Sequence, residues 1–397
     1  MVNEIKVFEK PVGFRDLLPE TVLKKRLIED KLQNLFSQWG YQEILTPTLE
    51  YEETVGKASR ITGNRMFKLL DKQGQTLVLR PDMTAPIARV VSSLMQNSPL
   101  PKRISYHTNV FRAQENEAGR VAEFFQSGVE LIGEGTPDAD AEILAIACQT
   151  LKKLELGSFK LVVGHVGFIN ALLEEWISEP DQRDELKLLL ANKNIVGFQE
   201  MINRTVKSTA GKELLLAISN YQGDAVKLKT LLEGSRAVAV QTALNNLLDI
   251  WNLLKIYGLT NNVFFDLALV PHLDYYTGMV FEGIAENSSF PVCSGGRYDT
   301  LLDSFNNSNQ AIGFALKINR LLDILKQSEF LEKELRIYYD LDHREEALRF
   351  AYRKRSEGFE VVQTYRVTVQ ELNQLQEPNQ NVETVYFVSG EGDTFAK

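Results

Sequence analysis

Four polar clusters interrupt apolar, strand-like runs of this chain, and charged or glycine-rich residues inside strands cost stability unless a site uses them. The first is Leu79-Arg80-Pro81-Asp82-Met83-Thr84. The second is Val110-Phe111-Arg112-Ala113-Gln114, followed by Gly119-Arg120 and by Glu123-Phe124-Phe125-Gln126-Ser127-Gly128-Val129-Glu130. The third is Leu273-Asp274-Tyr275-Tyr276-Thr277-Gly278, and the fourth is Ser294-Gly295-Gly296-Arg297-Tyr298-Asp299, trailed by Gly313-Phe314-Ala315 and Arg320. Side chains on a strand alternate between faces, so Phe124, Gln126, Gly128 and Glu130 share one face. Gln126 and Glu130 then point into one space, with a small gap between them at Gly128. An amide and a carboxylate facing one cavity suit a small cationic or amino-group ligand. Taken singly, each cluster also fits a plain structural role. Gln126 and Glu130 fit an exposed strand face, Arg112 and Arg120 surface charges, Gly295-Gly296-Arg297 a hairpin turn, and Tyr275 with Tyr276 ordinary strand aromatics.

The elements that must position these residues follow from hydrophobic periodicity. Leu23, Leu27, Ile28, Leu32, Leu35 and Phe36 recur at helical spacing over residues 22–39, and Gly40 stands where a left-handed residue ends a helix. Residues 41–47 read as an extended segment closed by Pro47, which lacks an amide donor and suits a strand end or edge. Strand-like runs follow at 76–79, 104–111, 123–131, 160–163, 264–269, 278–284 and 311–314. They are separated by turns and long helices rather than by regular alternation, which predicts an α+β domain with a mostly antiparallel sheet. Residues 168–258 turn helical, with segments at 171–177, 211–219, 225–232 and 237–256, and read as an insertion between two halves of one sheet. After a polar stretch at 326–334, residues 331–397 show strand-helix-strand logic, with strands at 335–339, 359–362 and 382–388, a helix at 344–356 and a weaker one near 369–375. The expected domains are therefore a core over 1–325 and a small C-terminal α/β domain over 331–397.

Composition narrows the function. Of 397 residues, 44% are hydrophobic and 24% charged, as in soluble folded proteins. The leading MVNEIKVFEK has no apolar stretch of a secretory signal, and no run approaches a membrane span, so a cytoplasmic location away from membranes is expected. Two cysteines, Cys148 and Cys293, are too few and too distant for a disulfide framework or a zinc ribbon. His107, His165 and His343 show no metal-ligand spacing, and no metal or cofactor is expected. The net charge of −9 opposes a polyanionic partner. Within 331–397, 9 basic residues meet 13 acidic ones, which has the same consequence.

The four clusters, in this order, resemble the catalytic core of histidyl-tRNA synthetases, a class II synthetase family. Gly13-Phe14-Arg15-Asp16-Leu17-Leu18-Pro19, a motif-1 region ending at Pro47, the motif-2 pair Phe111-Arg112, the histidine-pocket signatures at 273–278 and 294–299, and a motif 3 ending at Arg320 carry the likeness, over residues 10–325. It implies a six-stranded antiparallel sheet flanked by helices, and a dimer built through motif 1.

Departures from that family decide what function the resemblance implies. Where the synthetases have Arg-Gly before Leu-Asp-Tyr-Tyr, this chain has Pro271-His272, and proline offers no cation to the charge that develops during adenylate formation. Losing such a preorganised charge costs about 3 kcal/mol or more, over a hundredfold in rate. Gln114 replaces a glutamate that meets adenine, and Lys317 fills a glycine position beside the nucleotide. The C-terminal unit is short and acidic where the synthetases bind an anticodon. The amino-acid pocket persists: Asp82, Thr84, Gln126 and Glu130 match positions that hold the ligand's amino group, Tyr275 and Tyr276 those that line its imidazole, and Arg112 belongs to the same pocket. Asp82 is one methylene shorter than the family's glutamate.

This combination is similar to the regulatory subunits of ATP phosphoribosyltransferase. The resemblance implies a non-catalytic chain, with no catalytic residue of its own, that activates a short-form catalytic subunit in the first step of histidine biosynthesis. It further implies feedback inhibition by L-histidine and self-association as a synthetase-like dimer within a hetero-octamer, without tRNA. A working synthetase and a histidine-binding synthetase-like protein of another pathway are the competing readings.

Overall fold

The computed structural model describes residues 9–61, 63–113, 121–232, 237–271, 275–325, 334–358, 361–368, 371 and 382–388. The chain divides into two compact units, Met1–Leu325 and Lys326–Lys397.

The first unit opens with helix α1 (Pro19–Gln38), started by Pro19 at its first turn and burying Ile28, Leu32, Leu35 and Phe36. Gly40, at φ +80°, ends it, and the amides of Gly40 and Tyr41 return to the carbonyls of Ser37 and Phe36. Only two residues of the extended segment after it form a strand, β1 (Gln42–Glu43). Next comes a small antiparallel sheet of β2 (Leu49–Tyr51), β3 (Lys68–Leu70) and β4 (Thr76–Leu79), in the order β2-β4-β3. Only β4 was legible as a strand in the sequence, because the partners are three residues long and largely exposed. Helix α2 (Thr84–Ser92) leads to the long hairpin of β5 (Lys102–Phe111) and β6 (Glu123–Ile132), then α3 (Pro137–Lys153) and β7 (Phe159–His165).

The helical insertion comprises α4 (Val166–Trp176), α5 (Pro180–Ala191), α6 (Ile195–Thr205), α7 (Thr209–Ser219), the two-residue β8 (Gln222–Gly223), α8 (Ala225–Leu232) and α9 (Val238–Ile256). The sheet resumes with β9 (Val263–Asp266), β10 (Met279–Ala285), β11 (Cys293–Arg297) and β12 (Ala311–Lys317), and α10 (Ile318–Ile324) closes the unit.

The main sheet has nine strands in the order β1-β5-β6-β12-β11-β10-β7-β9-β8. Its six central strands, β5 to β7 in that order, are mutually antiparallel. The flanks are mixed: β1 runs parallel to β5, and β9 parallel to β7. Parallel neighbours need a long crossover, and the insertion supplies one between β7 and β9. Helix α3 is buried along most of its length against one face of the sheet, contacting β7, β11 and β12.

One reading needs correction. Gly295-Gly296-Arg297 is not a hairpin turn but the body of β11, hydrogen-bonded to β10 on one side and β12 on the other. The glycines are there for space. A Cβ on Gly295 would lie 2.3 Å from the Gly313 carbonyl oxygen, and one on Gly296 would lie 2.6 Å from that of Met279.

The second unit is a parallel sheet of β13 (Glu334–Tyr339), β14 (Val361–Arg366) and β15 (Val382–Phe387), ordered β14-β13-β15. Helix α11 (Arg344–Ser356) sets Ala347 and Ala351 against Leu335, Ile337, Val385 and Phe387. The helix expected near 369–375 falls outside the described residues, apart from positions 371 and those before 369.

Candidate functional site

The face of the main sheet opposite α3 floors a cavity of about 760 Å³. All seven residues singled out in the sequence line it: Asp82, Thr84, Arg112, Gln126, Glu130, Tyr275 and Tyr276. Gln126 and Glu130 do share a face of β6, as the period of two requires. The gap expected at Gly128 is filled by Tyr106 of the paired strand, whose hydroxyl would lie 2.6 Å from a Cβ on Gly128. The side chain of Glu130 crosses Gly313 of β12 in the same way, its Oε2 only 1.7 Å from where a Cβ would stand.

Glu130 is the centre of the arrangement. It is 2% exposed; Thr84 Oγ1 donates to its Oε1 at 3.1 Å and the Tyr298 hydroxyl to its Oε2 at 2.5 Å. Burial outweighs both hydrogen bonds and, with the nearby Asp82 carboxylate, pushes the Glu130 carboxyl up to about 8. At neutral pH burial therefore holds Glu130 mainly protonated. Asp82, 5% exposed, spends Oδ1 on the Ala85 amide at the start of α2, 3.0 Å away. Its Oδ2 is buried with no hydrogen-bond partner. A buried carboxylate oxygen left open costs free energy that a donor from a ligand recovers. Two carboxyl groups, one with an oxygen left open and one held neutral by burial, could together accept donors from an ammonium group.

Around this acidic end lie aromatic rings. Tyr275 and Tyr276 sit with centroids 4.7 Å apart and tilted by 50°, and Tyr298 meets Tyr275 edge-on at 6.0 Å. Burial pushes the Tyr276 hydroxyl up to about 12 and Tyr275 well above its usual value, so both stay neutral hydrogen-bonding groups. Arg112 is held by its Nε, which donates to the Pro81 carbonyl at 2.9 Å. Pro271 and Lys317 also line the cavity. Gln114, Arg120, His272 and Asp274 fall outside the described residues.

Two conspicuous arginines have other work. Arg80, 4% exposed, donates to the carbonyls of Thr46 and Asn109 at 2.7 and 2.8 Å, fastening the Asp82 loop to β5. Arg297 forms a buried ion pair with Asp140 of α3 at 2.8 Å. The described histidines make contacts within the fold: His107 stacks on Phe36 and contacts Ser127 and Gln33, His165 accepts from the Phe168 amide at the start of α4, and His343 pairs with Asp340. Among the described residues no cluster of metal-ligating side chains occurs.

Sequence reasoning missed Tyr106 as a pocket residue and left Tyr298 out of the site. The signal for Tyr298 was its place in the fourth cluster. Tyr106 had none, since its meeting with Gly128 depends on the β5–β6 register.

A family model described as histidyl-tRNA synthetase matches residues 13–321. A relative from Halalkalibacterium halodurans, named ATP phosphoribosyltransferase regulatory subunit, is 43% identical over 359 residues, 90% of each chain. One of the same name from Bacillus subtilis is 40% identical over 382 residues, 96% of this chain and 97% of its own. A crystal structure from Bacillus halodurans, described as an ATP phosphoribosyltransferase regulatory subunit/histidyl-tRNA synthetase, superposes with a TM-score of 0.88 at 39% identity, covering 98% of this chain and all of that one. A histidyl-tRNA synthetase from Nostoc shares the fold, with a TM-score of 0.78 at 18% identity. With its synthetase-type core and its likeness to these relatives along nearly its whole length, the chain belongs to the family of ATP phosphoribosyltransferase regulatory subunits.

Proposed function

We propose that this chain activates a short-form ATP phosphoribosyltransferase catalytic subunit and, by binding L-histidine in the cavity over β6, conveys feedback inhibition to it. The observation that carries the reading is the pair of buried carboxyl groups, Asp82 with its open Oδ2 and Glu130 with its raised pKa, lining one cavity. Such a pair is costly unless an ammonium ligand occupies it. Tyr275 and Tyr276 give that ligand an aromatic wall for an imidazole. Arg112, Thr84 and Gln126 complete the histidine contacts in this reading. The core over 1–325 carries the sensor, and 331–397 is a separate small α/β domain.

No adenylation chemistry belongs to this reading. Pro271 supplies no cation and Lys317 occupies cavity space, so the chain makes no aminoacyl-adenylate and needs no tRNA. It works as a dimer within a hetero-octamer of four regulatory and four catalytic chains, in the cytoplasm. Regulation then requires a coupling free energy of roughly 1–3 kcal/mol between the pocket and the partner's active site, reciprocal for binding.

The test mixes the short catalytic subunit with this chain and follows formation of phosphoribosyl-ATP from ATP and phosphoribosyl pyrophosphate. Activity should depend on this chain and fall with histidine only when it is present. Activity independent of the chain would refute the activator role. Histidine sensitivity that survives Glu130→Gln combined with Tyr275→Ala would move the sensor elsewhere. Histidine-dependent exchange of pyrophosphate into ATP at a synthetase-like rate would restore the enzymatic reading.

A further inference from the structure

The cavity floor carries opposite charge at its two ends. Cross-strand partners share a sheet face, so β6 presents Gln126, Gly128 and Glu130 beside Lys317, Ala315 and Gly313 of β12. Asp82 and Glu130 mark one end. Lys317, paired with Gln126, marks the other, four residues along the strands and roughly 14 Å away between Cα positions. Arg112, just beyond the end of β5, lies at this same basic end and repels Lys317.

Lys317 is half-buried, and its ammonium makes no ion pair or hydrogen bond among the described residues. Burial and the charges of Arg320 and Arg112 bring its amine down to about 8, against the opposing pull of Glu282. A desolvated cation without a partner beside open space is relieved by an anion.

The charge balance of the lining indicates which anion. Arg112, Lys193 and Lys317 stand against Asp82, Asp266 and Glu282, while buried Glu130 keeps its proton. A nearly neutral lining with separated ends matches a zwitterion, whereas a phosphate dianion would leave two negative charges in excess. Resting on the reading of the acidic end as an ammonium receptor, we infer that Lys317, with Arg112, receives the ligand's α-carboxylate, so that the pocket selects a free zwitterionic amino acid over its amide, ester or alcohol.

Calorimetry on the full chain tests this with L-histidine, L-histidinamide and L-histidinol, each against wild type, Lys317→Met and Lys317→Arg. Wild type should bind histidine about ten- to a hundredfold more tightly than histidinamide or histidinol. Lys317→Met should weaken histidine by a similar factor and leave the two carboxylate-free ligands within about twofold, collapsing the discrimination, while Lys317→Arg should retain most of it. Circular dichroism and thermal melting establish that each variant is folded. Equal loss for all three ligands in a folded Lys317→Met, unchanged histidine affinity in that variant, or wild-type histidinol binding as tight as histidine would overturn the inference and leave the ammonium receptor standing. Absence of histidine binding to wild type would overturn both. Inorganic phosphate or ATP that binds wild type, loses affinity in Lys317→Met and fails to compete with histidine would assign Lys317 to a phosphate ligand instead.

Discussion

Binding of histidine should expel a proton from the protein, and Glu130→Gln should abolish that release. Burial holds the Glu130 carboxyl at about 8, so at pH 7 it is roughly nine-tenths protonated. An arriving ammonium favours the carboxylate, and ionising Glu130 at pH 7 costs about 1.4 kcal/mol. Lys317, whose amine lies at about 8, is already mostly charged and takes up only about a tenth of a proton. The net release is therefore about 0.8 proton per histidine at pH 7. The same arithmetic sets the affinity loss. A charge-assisted hydrogen bond is worth roughly 1.5–3 kcal/mol, and subtracting the ionisation cost leaves a loss of up to about 1.6 kcal/mol for Glu130→Gln at pH 7. The penalty should grow toward pH 8, where wild type no longer bears that cost in full. The assay is titration calorimetry at pH 7 in phosphate and in Tris, whose ionisation enthalpies differ widely. Wild-type binding enthalpies should differ by the proton number times the difference between the buffers, and Glu130→Gln should show nearly equal enthalpies. Equal enthalpies for wild type, or buffer dependence that survives the substitution, would refute the reasoning.

Stability should respond to the same carboxyl with a definite sign. Its folded pKa of about 8 lies above the ordinary 4.5, so the folded chain retains a proton that the unfolded chain has lost, and wild type loses stability as pH rises from about 5 to 8, by roughly 3 kcal/mol. The melting temperature of Glu130→Gln, measured against wild type, should therefore climb across that window and level off above it; a constant difference would contradict the raised pKa. Tyr298→Phe removes the hydroxyl that donates to Glu130 Oε2 and should weaken histidine by about 1–2 kcal/mol in the same titrations, with proton release moving toward one. Gly295→Ala drives a methyl into the Gly313 carbonyl 2.3 Å away and should cost more than about 3 kcal/mol, seen as a collapsed soluble yield or a large drop in melting temperature.

The C-terminal end of α1, both ends of α11 and the pairing of Gln126 with Glu130 on one face were legible in the sequence, because each rests on local rules; the first turn of α1, begun by Pro19, was not. A helix repeats its buried positions every three or four residues and stops at a glycine such as Gly40, and a strand alternates its faces whatever it is paired with. The seven pocket candidates were legible because clusters of polar residues within strands, together with a resemblance spanning the core, named their positions. What only the tertiary structure decided depends on register and burial. Gly295 and Gly296 read as a turn by composition, yet they form a central strand, since the closeness of the flanking backbones is a property of three strands together. Tyr106 enters the pocket because β5 and β6 set it opposite Gly128. The mixed flanks of the sheet follow from which strand β9 chooses as neighbour after a long excursion. The protonation of Glu130 likewise exists only after folding, because removing a carboxyl from water disfavours its charge, and strand partners, helix termini and aromatic rings distant in sequence together exclude that water.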